Sequence, residues 1–376
     1  MLDATKAFDK VHYGKLFKLL IDRQVSPIIL RLLFKMYVQQ EMRVKWSGSL
    51  SDKFNVSNGV KQGGILSPIL FAVYMDVLLC RLKNSGFGCN VGNKWVGSLA
   101  YADDIALLCP SKFGMQKMLD IVMSFAKEYC MSFNGKKSQF LIFSNKLYPD
   151  GSVTLKVDGT NLSNVSEAKY LGNIIHVGDE NSMLRAAEAK FWKMFNIFMA
   201  DFGKLHTFVK LKLFKQYCCD YYGSVLWSHK SKYFDKLCVA WRKAVRIMSN
   251  IPCQTLCYLL PLLMDTIPLE VNLEVRFLKF VKNLEIGNCN SIVKHIYMQC
   301  LICPFSLTGR KVREFCYKHN VIELPLFKFD ERDWLAKRRD YISHTVKELI
   351  EIRDGFQHCL LEQAEIRDLL DWLCVS

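Results

Sequence analysis

Two adjacent carboxylates, Asp103 and Asp104, interrupt an otherwise apolar stretch. Val96-Gly97-Ser98-Leu99-Ala100 runs into Tyr101-Ala102-Asp103-Asp104, and Ile105-Ala106-Leu107-Leu108 runs out. Apolar runs flanking a short polar break predict a β-hairpin with the acids at its turn. Neighbouring acids in a tight turn repel unless a cation or a basic partner neutralises them. The tetrapeptide therefore reads as a divalent-metal site or as an exposed acidic turn, and the rest of the chain has to decide between them.

The chain has 376 residues, enough for two or three domains, and 51% hydrophobic residues, enough for a large core. Its net charge of +15 points to a polyanionic partner, with scattered surface lysine as the alternative. The fifteen cysteines are odd in number and show no framework spacing. Asp3, Lys6 and Asp9 in the opening turns exclude a signal peptide. Reduced thiols in the nucleus or cytoplasm are thus expected rather than secretion. No apolar run of about 20 residues predicts a membrane span.

Along the chain, Leu2-Asp3 reads as a strand end with its acid projecting. Helices are predicted over 12–22, from Ser26 (N-cap) and Pro27 onward with Ile28, Leu32, Leu33, Met36 and Tyr37 buried, from Ser67-Pro68 to Arg81, and over 112–129 behind a Ser111 cap. Met42 to Val56 reads as a hairpin. Gly59-Val60-Lys61-Gln62-Gly63-Gly64 is a loop that cradles phosphate or merely turns. Gln139–Phe143, Val153–Val157 and Tyr170–Ile175 read as strands. This order predicts an α+β domain over 1–178, an antiparallel sheet with helices on one face. Long amphipathic helices follow, with Lys190, Lys193, Lys204, Lys210, Lys212, Lys215, Lys236, Arg242, Lys243 and Arg246 among aromatics. These cations either track a nucleic-acid backbone or form the wet face of a bundle. The predicted divisions are 1–178, 179–252 and 253–376, the last helical and ending in 333–374.

If the strand carrying Asp3 lies beside the acid hairpin, Asp3, Asp103 and Asp104 converge. Hard oxygen ligands in such a cluster suit a pair of Mg²⁺ ions, and two metals suit in-line phosphoryl transfer.

Five segments in order carry a resemblance: Leu2-Asp3-x-x-Lys6-Ala7-Phe8-Asp9, Gly59-Val60-Lys61-Gln62-Gly63-x-x-x-Ser67-Pro68, Tyr101-Ala102-Asp103-Asp104, Phe133-Asn134-x-x-Lys137-Ser138 and Tyr170-Leu171-Gly172. Together they resemble successive palm motifs of the reverse transcriptases of non-LTR (LINE-type) retrotransposons. Residues 241–280 are similar, more weakly, to the C-terminal part of such polyproteins. The resemblance implies a right-hand polymerase palm, a helical thumb and a helical C-terminal region. It also implies an RNA-directed DNA polymerase that extends a DNA primer on an RNA template with dNTPs. Asp3, Asp103 and Asp104, with the Ala4 carbonyl, would hold two Mg²⁺ ions, Mn²⁺ being the alternative. Lys6, Ala7, Phe8, Gln62, Gly63 and Lys137 would bind the dNTP, with Phe8 excluding a 2′-hydroxyl and Lys137 near the triphosphate. Tyr170, Leu171 and Gly172 would hold the primer end.

Almost nothing precedes Asp3 where the family has its fingers, so a truncated member is expected, with a short first strand prone to fray. A catalytically inactive remnant that binds nucleic acid nonspecifically is the competing expectation. Cys300-x-x-Cys303 and Cys316-x-x-His319 have zinc-ligand spacing, but Phe305, Val312 and Phe315 around them favour ordinary core over zinc.

Overall fold

The computed structural model describes residues 1–144, 153–264, 268–286 and 291–318. Its contacts divide the chain into two units, Met1–Ser182 and Met183–Ser376.

In the first unit a 3-10 turn, Phe8–Lys10, leads into α1 (Tyr13–Asp22) and α2 (Pro27–Val38). Strands β1 (Glu41–Met42), β2 (Lys45–Trp46), β3 (Ser49–Leu50) and β4 (Phe54–Asn55) form two nested antiparallel pairs, β2 on β3 and β1 on β4. Helix α3 (Ser67–Asn84) follows, then β5 (Asn90–Val91), β6 (Lys94–Trp95), β7 (Ser98–Tyr101), β8 (Asp104–Leu107) and α4 (Lys112–Glu128). The remainder is β9 (Gln139–Phe140), β10 (Lys156–Val157), β11 (Thr160–Asn161), β12 (Ser163–Asn164), β13 (Glu167–Tyr170) and β14 (Asn173–His176). One cluster made by Leu2, Leu16, Phe71, Tyr74, Leu78, Ile105, Met118, Phe125 and their neighbours forms the core. The Tyr74 hydroxyl donates to the Tyr129 carbonyl at 2.6 Å from within it. Burial holds this phenol up at about 12.

Ser111 caps α4 as its sequence predicts, accepting from the Gly114 N–H at 3.1 Å. Ser26 occupies the cap position of α2, but its side chain makes no capping bond; Pro27 removes one donor that would need it. Of the five residues predicted to be buried on α2, only two are. Leu33 and Tyr37 are buried, while Ile28 is 79% exposed and Leu32 and Met36 are exposed with it. Periodicity marks an apolar stripe, but only a facing element can bury it. The sheet also differs from expectation. Among the described residues it consists of two-stranded ladders, with isolated bridges at Leu2–Ile105 and Ala4–Phe133, and β9 pairs β12 in parallel. Of the Gln139–Phe143 and Val153–Val157 strands, only Gln139–Phe140 and Lys156–Val157 are extended ladders.

The second unit holds α5 (Ser182–Phe202, its first residue the last of the first unit), α6 (Thr207–Tyr217), α7 (Lys232–Ser249), α8 (Leu260–Leu263), α9 (Leu269–Ile286), α10 (Ser291–Ile302) and α11 (Leu307–Lys318). Phe191, Phe195, Phe198, Phe214, Trp241, Leu260 and Leu273 share one apolar cluster. It is therefore continuous across residue 252. Among the described residues no helix is long and apolar enough to cross a membrane. The helix predicted over 333–374 lies outside the described residues.

Candidate active site

The acid turn is built as its sequence suggests. Tyr101 pairs Asp104, closing a two-residue turn of Ala102 and Asp103 between β7 and β8. Ala102 takes the left-handed backbone, φ 51°. A residue with a Cβ pays a small steric cost there, of the kind that accumulates at functional turns.

The first strand reaches this turn. Leu2 bridges Ile105 antiparallel, with its N–H donating to the Ile105 carbonyl at 2.8 Å. That register sets Asp3 across from Asp104 and Ala4 across from Asp103. Leu2 and Ile105 are both buried, so the next residues, Asp3 and Asp104, face the opposite side. The strand is held on its other edge too. Ala4 bridges Phe133, Asn134 N–H donates to the Asp3 carbonyl at 2.8 Å, and Thr5 N–H donates to the Ser132 carbonyl at 2.9 Å. Paired on both sides, the short segment is anchored rather than frayed.

Two supporting residues are absent from the sequence-derived site. Ser138 is 1% exposed, and its Oγ accepts from the Asp3 N–H at 3.1 Å. Lys10 Nζ reaches the Ser132 Oγ. A buried serine closing the Phe133–Ser138 motif was the available signal for the first. The second has no local signature, because its partners are distant in sequence.

Electrostatics report the convergence. Partial burial, then the charges of Asp103 and Asp3, hold the Asp104 carboxyl above its ordinary range. Three like charges in one another's field call for a cation, and their donors are all hard oxygens. Their side chains are not drawn tight, however. Among the described residues no three His, Cys, Asp or Glu side chains are grouped closely enough to hold a metal ion.

The loop after β4 closes on residues 8–11, which follow Asp3's segment. Val60 N–H donates to the Phe8 carbonyl at 2.8 Å, and Gly59 N–H to the Val11 carbonyl at 2.9 Å. Gly59 has φ 92°, and a Cβ there would lie 3.0 Å from both Cα and carbonyl oxygen of Asp9, so glycine is required. Gln62 Nε2 donates to Asp9 Oδ1 at 3.2 Å. Gly63 turns with φ 77° in open space. Phe8 is half-buried and stacks on Phe71, centroids 4.5 Å apart and planes 12° apart. Ala7 is buried beside it, while Lys6 is exposed with φ 48°. Lys137 is exposed; its N–H and that of Lys136 donate to Asn134 Oδ1, which fixes the turn.

The β13–β14 hairpin turns through Leu171, φ 46°, and Gly172, φ 78°. Its Tyr170 hydroxyl donates to the Leu99 carbonyl of β7 at 3.2 Å. Burial, then the Asp104 charge, raises the Tyr170 phenol above its ordinary value.

Residues 1–175 match the family described as reverse transcriptase (RNA-dependent DNA polymerase). The similarity covers just under half of the chain. Similar proteins include Pol polyproteins of retrotransposable elements and an RNA-directed DNA polymerase of a mobile element. The Pol polyprotein of type-2 retrotransposable element R2DM of Drosophila melanogaster is 32% identical over 136 residues, 36% of this chain and 13% of the relative. The RNA-directed DNA polymerase from mobile element jockey of Drosophila funebris is 28% identical over 273 residues, 67% of this chain and 28% of the relative. A Pol polyprotein of type-1 element R2 of Popillia japonica is 37% identical over 142 residues, 36% and 20% respectively. The matched chain thus spans less than a third of each of these relatives.

In the second unit the predicted cations divide by use. Lys190 pairs Asp220 at 2.6 Å, Arg242 pairs Glu270, Arg246 donates to the Thr255 carbonyl at 2.7 Å, and Lys210 is buried. Lys193, Lys204, Lys212 and Lys236 are exposed, as is Lys215; Lys212 lies 4.3 Å from the Phe208 ring centroid and Lys243 5.8 Å from that of Trp192. Of the zinc pattern, Cys300 is half-buried and Cys303 exposed; the Cys316 side chain and His319 lie outside the described residues.

Proposed function

We propose that this reverse transcriptase segment is an RNA-directed DNA polymerase centre that adds dNTPs to a primer 3′-hydroxyl on an RNA template. The observation that carries it is the Leu2–Ile105 bridge, which sets Asp3 opposite Asp104 beside the Asp103 turn. Asp3, Asp103 and Asp104, with the Ala4 carbonyl, would bind two Mg²⁺ ions, or Mn²⁺. Bound there, the metal would polarise the primer hydroxyl and neutralise charge on the departing pyrophosphate.

The chain's own groups supply position. Phe8, braced by Phe71, sits under the sugar and sterically rejects a 2′-hydroxyl. Gln62, held by Asp9, and Gly63 line the nucleotide pocket with Lys6 and Ala7. Lys137 faces the triphosphate and donates a proton to pyrophosphate. Tyr170, Leu171 and Gly172 hold the primer end. Residues 1–178 act as the palm, 179–252 as a thumb and 253–376 as a helical C-terminal region.

Primer extension on an RNA template with Mg²⁺ and dNTPs tests this, beside Asp103→Ala. Template-dependent extension lost in the variant is expected. Equal signals from both chains would support the second reading, an inactive remnant that binds nucleic acid nonspecifically.

A further inference from the structure

Cys89 lies just before β5 and Cys109 two residues after β8. The Cys89 N–H donates to the Leu108 carbonyl at 2.9 Å. That carbonyl belongs to the peptide bond joining Leu108 to Cys109, so one hydrogen bond and four covalent bonds, folded back at the carbonyl, separate the α-carbons. Such a spacing falls within the roughly 4.4–6.8 Å that a disulfide spans.

The sulfur of Cys109 lies against Gly114. Gly114, in the first turn of α4, leaves room for it: a Cβ there would lie 2.7 Å from the Cys109 sulfur. Both thiols are partly exposed, so a small oxidant reaches them. Burial, then the neighbouring Cys109 sulfur, raises the Cys89 thiol above its ordinary value, which places the two sulfurs within each other's field.

We propose that Cys89 and Cys109 form a reversible disulfide that closes a covalent ring around the acid hairpin. The ring runs through β5, β6, β7, the Asp103–Asp104 turn and β8. A peroxide is the oxidant. The Cys109 thiolate, not the raised Cys89 thiol, attacks the peroxide oxygen, breaking the O–O bond and releasing water after protonation, and becomes a sulfenic acid. The second thiolate attacks that sulfur, the S–O bond breaks, and a second water leaves. Two thiols thus lose two electrons and two protons to one hydrogen peroxide, and a dithiol reverses the reaction by exchange. Transient disulfides of this redox-sensing kind are the ones that occur in reducing compartments.

The test uses the full reduced chain exposed to hydrogen peroxide, with remaining thiols trapped by N-ethylmaleimide. Trypsin cuts at Lys94, between the two cysteines, so the bond joins separate peptides visible by mass spectrometry without reduction. The expected major product links Cys89 to Cys109, with a rise in Tm of about 2–4 °C. Dithiothreitol reverses both, and Cys89→Ser and Cys109→Ser, each retaining the unoxidised Tm, abolish both. Recovery of both cysteines as maleimide adducts, linkage of either to other cysteines, or a Tm rise that persists in Cys89→Ser overturns the proposal.

Discussion

Tyr170 and Leu99 are joined by a hydrogen bond, 3.2 Å from the phenol oxygen to the backbone carbonyl, that ties the β13–β14 turn to the strand leading into the acid pair. Seventy-one positions separate them in sequence. The bond gives the hairpin of Leu171 and Gly172 a fixed position relative to Asp104, whose charge the phenol feels. Tyr170→Phe removes it at a cost of about 0.5–1.5 kcal/mol. We expect a several-fold higher KM for primer with little change in Tm, measured by steady-state extension and thermal melting.

On the proposed reading, the acid cluster makes stability depend on metal and pH together. Asp104 titrates above the ordinary carboxylate value, so between those two values the folded state binds more protons than the unfolded one. Stability therefore falls as pH rises through that window. Mg²⁺ should offset the loss at neutral pH, by about 1.4 kcal/mol at tenfold excess over its Kd. Thermal melting with and without Mg²⁺ checks this. Asp103→Asn should lose most of the Mg²⁺ response and reduce the pH dependence.

Gly59 fixes the loop that presents Gln62. Gly59→Ala forces a left-handed backbone on a residue with a Cβ and drives that Cβ against the Asp9 backbone. A destabilisation of about 1–3 kcal/mol is expected in urea unfolding. A rise in the KM for dNTP should accompany it, because Gln62 loses its hold on Asp9.

Phe8 owes its position to Phe71, which is fully buried in α3. Phe8→Val should admit ribonucleotides, read as a rise in the ratio of rNTP to dNTP incorporation. Phe71→Ala should cost about 3–5 kcal/mol and relax the same discrimination indirectly.

Lys311 supplies a pH signature in the second unit. It is 5% exposed, donates to the Val225 carbonyl at 2.8 Å and lies 4.1 Å from the centroid of the Phe277 ring. Burial lowers its ammonium to about 7, only partly opposed by Glu314. Between pH 7 and its ordinary value the unfolded chain binds more protons, so stability rises with pH there. Lys311→Met should flatten that rise in melting curves taken from pH 7 to 10, relative to wild type.

Much of the local architecture was legible in the sequence. Ser111, Pro27 and the Ser67-Pro68 step mark helix starts because a serine cap and a proline in the first turn both act locally. The acid turn was legible because apolar runs on both sides of two acids leave a hairpin few other ways to fold. What Ile28 and Leu32 would pack against was not legible. Burial depends on a second surface that periodicity does not describe, and α2 leaves them exposed. The cations behaved likewise. Lys193 and Lys204 stay on the surface while Lys190 and Arg242 are neutralised by acids 30 and 28 positions away.

The sequence alone determined the chemistry available: two adjacent acids, a third near the start, a glycine loop and an aromatic beside it. Only the tertiary structure decided that Asp3 lies opposite Asp104, that Ser138 and Ser132 brace its strand, and that Tyr170 reaches the same hairpin. Those relations run through hydrogen bonds between segments about 100 or more residues apart, or about 70 for Tyr170. Strand register at that range is set by which side chains share one core, and no single segment carries that information.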